Sequence, residues 1–153
     1  MEELKIVYEP IGVIRNDFSK SEDPKEIRNS QSQLIISEKY LPALEGIEHC
    51  RYLIVVYHID RSSGYRERVH PMGDLSIPER GVLATRSPCR PNPIGITVVE
   101  VVNIEGTTIK VTGLDALDGS PLLDIKPFEA HFDSPAGIQW EKDLSYKPNE
   151  SAH

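Results

Sequence analysis

Residues 96–112, Ile96-Thr97-Val98-Val99-Glu100-Val101-Val102-Asn103-Ile104-Glu105-Gly106-Thr107-Thr108-Ile109-Lys110-Val111-Thr112, are dense in β-branched side chains and broken once, at Glu105-Gly106. Such residues pack well on a pleated surface, so the stretch predicts two strands, 96–105 and 107–112, folded back at that turn. Upstream, 49–59 (HCRYLIVVYHI) is the strongest strand; its nearly continuous apolar run predicts burial on both faces. Residues 33–37 and 81–85 add short strands, 4–15 adds one interrupted at Pro10, and 122–125 is the last. Residues 40–46 predict a brief helix with Pro42 in its first turn and a stop at Gly46. Residues 16–32 and 60–80 lack a period and predict long loops. Six or seven strands make a mainly β fold, best satisfied by a small antiparallel β-barrel with long loops and one or more short helices. Neither a repeat nor an interdomain linker is visible. One domain over 1–153 is expected, with its core at about 4–133 and a polar tail, 134–153, relieved only by Trp140 and Tyr146.

A chain of 153 residues suits one core, and 39% hydrophobic with 27% charged residues argues against wholesale disorder. The opening Met1-Glu2-Glu3 carries acids where a signal peptide would carry bases, and no apolar run approaches the ~20 residues of a membrane helix. A cytoplasmic protein without membrane partners is expected. Cys50 and Cys89 lack a CxxC spacing and read as two free thiols, and His49, His58 and His70 are not at metal-ligand spacing. The net charge of −7 opposes indiscriminate polyanion binding. Within 61–90, however, Arg61, Arg66, Arg68, Arg80, Arg86 and Arg90 outnumber Glu67, Asp74 and Glu79, six against three, for a local +3. Arginine's planar fork suits bidentate contact to phosphate or carboxylate and stacks on bases. The alternative is a solvated loop with scattered surface charge.

No G-x-G-x-x-G follows a strand, and neither a P-loop nor a G-x-S-x-G elbow is present. Two segments stand out instead. In 86–95 (RSPCRPNPIG), Pro88, Pro91 and Pro93 fix φ and push the preceding residues into extended conformations. The result is a stiff loop that displays Arg86 and Arg90. In 113–127 (GLDALDGSPLLDIKP), 118–121 is a turn signature, while Asp115 and Asp124 lie beside apolar residues where a buried carboxylate needs a partner. Lys126 or Arg86 could supply it.

Taken together and in this order, the two segments resemble the TrmO family, also called TsaA-like or YaeB-like. The resemblance runs from Tyr8-Glu9-Pro10-Ile11-Gly12-Val13-Ile14-Arg15 to Asp124-Ile125-Lys126-Pro127-Phe128, most of the chain. It implies an S-adenosylmethionine-dependent methyltransferase on a small β-barrel. It also implies a homodimer that methylates the N6 nitrogen of threonylcarbamoyladenosine beside the tRNA anticodon. Carried over by position, the cofactor-contacting set is His58, Ile59, Arg86, Ile96, Thr112, Gly113, Leu114 and Asp115. An N-terminal contact falls near Lys25 and Glu26, where the sequence (DPKEIRNSQ) departs from the PRQ-like pattern expected. The C-terminal extension of some bacterial members has no counterpart in these 153 residues.

Methyl transfer from a sulfonium is an in-line displacement, so alignment supplies much of the catalysis. The acceptor is a urea-type N–H, a poor nucleophile until its proton is held by a base. His58, Asp115 and Asp118 are the candidate bases, with a packed or cofactor-contacting His58 as the alternative. Arg86 would position a carboxylate, while Arg61, Arg66, Arg68 and Arg90 would contact tRNA. Two other readings compete. One is a non-catalytic β-barrel that binds RNA through its arginines and Tyr65. The other is a methyltransferase of the same fold acting on a small acceptor.

Overall fold

The computed structural model describes residues 3–20 and 23–135. Among these residues eight strands form: β1 (Gly12–Arg15), β2 (Gln31–Ile36), β3 (Tyr52–His58), β4 (Arg68–Val69), β5 (Arg80–Gly81), β6 (Ile94–Glu105), β7 (Thr108–Thr112) and β8 (Pro121–Pro127). Six close a barrel in the order β1-β2-β7-β6-β3-β8, and every neighbouring pair is antiparallel. β4 and β5 form a separate two-stranded ribbon. Two short helices, α1 (Pro24–Arg28) and α2 (Ala130–Asp133), complete the regular structure with several 3₁₀ turns. The mainly β barrel read from the sequence is the fold observed.

Alternation fills the interior. Ile14, Leu34, Ile36, Leu53, Val55, Tyr57, Val99, Ile109, Val111 and Leu122 point inward and are buried. Each such apolar side chain removed from water contributes roughly 1.5–3 kcal/mol. The run 49–59 is therefore not buried on both faces. Only 52–58 is strand, and Tyr52, Ile54, Val56 and His58 occupy its outer, partly exposed register. A closed barrel has one inside, so half the apolar residues of its strongest strand must face out.

Other expectations shift at their edges. Residues 16–32 are not one loop, because Asp23 caps α1 through its side chain and β2 begins at Gln31. Of residues 81–85 only Gly81 is strand, as the end of β5: Val82–Ala84 is a 3₁₀ turn closed by the Thr85 hydroxyl on the Val82 carbonyl (2.8 Å). β1 starts only at Gly12, and residues 4–10 lie outside any ladder. The helix expected over 40–46 is a 3₁₀ helix, Glu38–Leu44. Cys50 and Cys89 are free thiols. Most of the polar tail, including Trp140 and Tyr146, lies outside the described residues. Among the described residues, no helix is long and apolar enough to cross a membrane.

Strand order dictates what lies at the two barrel ends. β7 and β8 are opposite one another in the ring, and so are β2 and β3. Their connections must each cross a mouth. Residues 113–120 cross the mouth where β3 ends and β6 begins; the 3₁₀ segments Glu38–Leu44 and Ile47–His49 cross the other.

Candidate functional site

The 113–120 crossing is built to plug and to bind. Leu114 and Ala116 drop into the core, at 0% and 2% exposure. Gly113 makes the turn out of β7 at φ 96°, a left-handed conformation that favours glycine, and its N–H donates to the Arg28 carbonyl (3.0 Å). Asp115 follows, and three donors converge on its carboxylate. Thr97 Oγ1 (2.6 Å) and the Tyr57 hydroxyl (3.0 Å) donate to Oδ1, and Arg28 Nη2 donates to Oδ2 (2.9 Å). Burial works to raise the Asp115 pKa. The bonds from Thr97 and Arg28, the Arg28 charge and the Tyr57 bond outweigh it and hold the carboxyl below its ordinary range. Tyr57 is pushed the other way, well above the usual phenol value, first by burial and then by the charge of Asp115. The pair is thus fixed as carboxylate and phenol. Gly95 secures the arrangement, because a Cβ there would run into the Tyr57 ring.

The turn beyond Asp115 is tied down separately. Asn16 N–H donates to Asp118 Oδ1 (3.0 Å), and Asp118 N–H to the Phe18 carbonyl (2.6 Å). Arg61 spans the same region: it donates to the carbonyls of Ser19 (3.0 Å) and Asp118 (2.6 Å), to Ser120 Oγ (3.3 Å) and to Asp60 Oδ1 (3.1 Å). Its guanidinium staples the end of β3 to the crossing.

The remaining candidates divide by what their side chains already hold. His58 and Ile59 leave β3 at this mouth, and Ile59 N–H donates to the Pro93 carbonyl (2.7 Å). The loop between β3 and β6 therefore starts and finishes here, with Arg86 on it. Arg90 Nη1 donates to the carbonyls of Thr85 (2.8 Å) and Ser87 (3.0 Å), so it braces that loop from within. Arg68 is engaged by the Glu79 carbonyl (3.0 Å) and carboxylate (3.7 Å). Among the described residues, exposed Arg66 and Arg86 have no side-chain hydrogen bond or ion pair. Ile96 is 48% exposed on the outer face, one residue out of phase with inward Thr97. Thr112 ends β7 beside Gly113. Lys25 and Glu26 are exposed on α1, and the α1 side chain that reaches Asp115 is Arg28.

Tyr57, Thr97 and Arg28 are the site residues that sequence reasoning passed over. Tyr57 and Thr97 carried a signal: each falls in phase with buried neighbours, Val55 and Val99, and a buried hydroxyl requires a partner. Arg28 carried a weaker one, the Asp23-Pro24 start of a helix whose last turn it occupies.

Comparison with known proteins follows the same lines. Residues 13–134 match the family described as tRNA-methyltransferase O N-terminal domain. An S-adenosyl-L-methionine-binding protein of Archaeoglobus fulgidus is 44% identical over 131 residues, covering 84% of this chain and 93% of that one. A probable S-adenosyl-L-methionine-binding protein of Methanothermobacter thermautotrophicus is 39% identical, with 88% and 98% covered. The tRNA (adenine(37)-N6)-methyltransferase of Mus musculus is 32% identical over 94% of this chain but only 35% of its own length. The crystal structure of TrmO from Pseudomonas aeruginosa superposes with a TM-score of 0.69 at 28% identity, covering 89% of this chain and 62% of that one. This chain thus spans about three fifths of the solved TrmO chain and about a third of the mouse enzyme.

Proposed function

The chain belongs to the tRNA-methyltransferase O N-terminal domain family, and we propose that it is an S-adenosylmethionine-dependent methyltransferase acting on the N6 nitrogen of threonylcarbamoyladenosine beside the tRNA anticodon. The observation that carries this reading is the Asp115 cluster at the mouth where 112–115, His58 and the Arg86 loop meet. The archaeal relatives' names supply the cofactor class and the mammalian relatives' names the reaction.

The residues fit such a cofactor. Asp115 is a half-buried carboxylate held ionised, which complements a positive sulfonium or accepts from ribose hydroxyls. Arg86, exposed and unpaired on a proline-stiffened loop, suits a carboxylate of the methionyl part or of the threonyl group of the substrate. When bound, S-adenosylmethionine supplies an electrophilic methyl group. The chain's part is orientation and proton handling. A carboxylate whose pKa is lowered is a weak base, and Asp118 is occupied by the Asn16 amide. That leaves His58, at the open end of β3, to hold the proton of the acceptor N–H. The reading includes a cytoplasmic homodimer. An outward apolar strip supports the pairing: Ile54 and Val56 of β3 stand opposite Val98 and Ile96 of β6.

The test is methyl incorporation into tRNA carrying threonylcarbamoyladenosine, with matched tRNA lacking that group alongside, digested and weighed by mass spectrometry. One added methyl on the modified nucleoside, in the first sample only, is expected. Cofactor binding without methylated tRNA would favour the second reading, transfer to a small acceptor. The internal engagement of Arg61, Arg68 and Arg90 favours that reading, because it shrinks the basic surface left for RNA.

A further inference from the structure

Two unpartnered features lie at the end of the barrel away from Asp115. The first is the arm Glu3-Leu4-Lys5-Ile6-Val7-Tyr8, which has no ladder and exposes Leu4 (83%), Ile6 (68%), Val7 (87%) and Tyr8 (72%). Four large apolar side chains in five residues are costly to leave in water. The second is an open strand edge. β8 pairs with β3 as far as Pro127, but its ladder to β1 stops at Leu122. From Leu123 onward, β8 has a strand neighbour on one side only, and beside it lies a cavity of about 390 Å³ lined by Ile11, Ile36, Tyr40, Leu44, Ile47 and Ile125. An open edge next to an apolar notch is a ready acceptor for an added strand.

The chain's own arm does not fill it. Continuing the Gly12↔Leu122 register backwards brings Pro10 opposite Asp124, and proline has no N–H for a ladder bond. We infer that the arm pairs antiparallel with the β8 edge of a second copy, Glu3 opposite Lys126, Leu4 opposite Ile125 and Lys5 opposite Asp124. In this register both cross-strand charge pairs are opposite in sign. The inward position of Ile125, which packs against the core, puts Leu4 and then Ile6 over the notch, and leaves Glu3 and Lys5 on the outer face with Asp124 and Lys126. Arm and edge belong to the same chain, so a two-fold pair of copies satisfies both at once. The inference rests on the homodimer proposed above and specifies which elements join it.

Charge reversal decides the matter. One variant carries Glu3→Lys and Lys5→Glu; the other carries Asp124→Lys and Lys126→Glu. Each homodimer would place like charges opposite one another at both contacts, whereas a mixed dimer matches both. Sedimentation velocity should show the unaltered chain as a dimer and each variant with its dimer dissociation constant raised at least tenfold. The equimolar mixture should return to a dimer. Three results overturn the inference: a monomeric unaltered chain, variants that remain dimers, or folded monomeric variants that mixing does not rescue. Circular dichroism confirms folding, and crosslinking Glu3→Cys chains to Lys126→Cys chains provides a second readout in trans. Calorimetric titration of the same preparations with S-adenosylmethionine keeps the questions apart: loss of binding with dimer rescue intact defeats the cofactor reading and leaves the strand exchange standing.

Discussion

The two mouths of the barrel are closed by the same topological device and to different ends. At each, a connection between opposite strands crosses the opening. Residues 113–120 cross with Leu114 and Ala116 as plug, and with their polar atoms fixed by Thr97, Tyr57, Arg28 and Arg61. The 3₁₀ segments cross the other with Leu44 buried, but Tyr40 and Ile47 stand back from β8 and leave a cavity. One mouth is rigid and charged; the other is apolar and incompletely filled. Buried polar networks resist rearrangement because every broken bond leaves a desolvated group unpaired. Apolar surface has no such directional demand and accepts whatever shape covers it. The contrast suits the two roles proposed above, one mouth positioning reacting groups and the other receiving a second copy.

Substitutions at each mouth can break or sharpen this contrast. The largest effect is expected from Asp115→Asn, which keeps the shape and removes the charge on which three donors converge. It should lower stability by about 3 kcal/mol, from charge-assisted hydrogen bonds of ~1.5–3 kcal/mol each. It should also weaken S-adenosylmethionine binding by more than about tenfold, read by denaturation and calorimetry respectively. At the other mouth, Leu44→Ala should cost about 2 kcal/mol, the low end for a buried leucine because a cavity already adjoins it. Cofactor affinity should be unchanged; a parallel loss of binding would mean the mouths are not independent. Tyr57→Phe removes one of the three donors to Asp115 and should cost about 1 kcal/mol of stability.

The smallest effect is a pH dependence. The folded pKa of Asp115 is depressed, so its contribution to stability is fully present well above the unfolded value of about 3.9. It is lost as pH falls through the unfolded value towards the folded one, because the unfolded chain takes up the proton first. Melting temperatures between about pH 6 and pH 3 should fall more steeply for the unaltered chain than for Asp115→Asn. Equal slopes would remove Asp115 as a site ionised by its neighbours.

Much of the barrel was legible because alternation and β-branching are local signals. The hairpin at Glu105-Gly106 and the strands around Val55 and Val111 follow from them. Closure is a long-range property, and for that reason Ile54 and Val56 were read as buried when the ring turns them outward. At the candidate site, 112–115, His58 and Arg86 could be named by likeness to a family, but the roles of the arginines could not. Whether a guanidinium is free or already engaged depends on carbonyls far away in the chain, such as Ser19 and Asp118 for Arg61. Thr97 was hidden behind Ile96 by a single step of strand phase.

The seam between β1 and β8 rests on two residue pairs, Gly12↔Leu122 and Val13↔Pro121, with one added bond from the Ile11 amide and two between Ile14 and the Gly119-Ser120 lead-in to β8. These partners are separated by nearly the whole length of the described chain. Joining them incurs a loop-closure entropy that the neighbouring hairpins avoid, and few contacts offset it. Loop-closure entropy thus predicts an order of assembly in which β6 and β7 zip first as a hairpin, β3 and β8 dock onto them, and the first stave is fitted last. By the same entropy, heating should open the wall first along this one line beside the N-terminal arm, seen as exchange of the Ile11 amide ahead of the amides of β3 and β6.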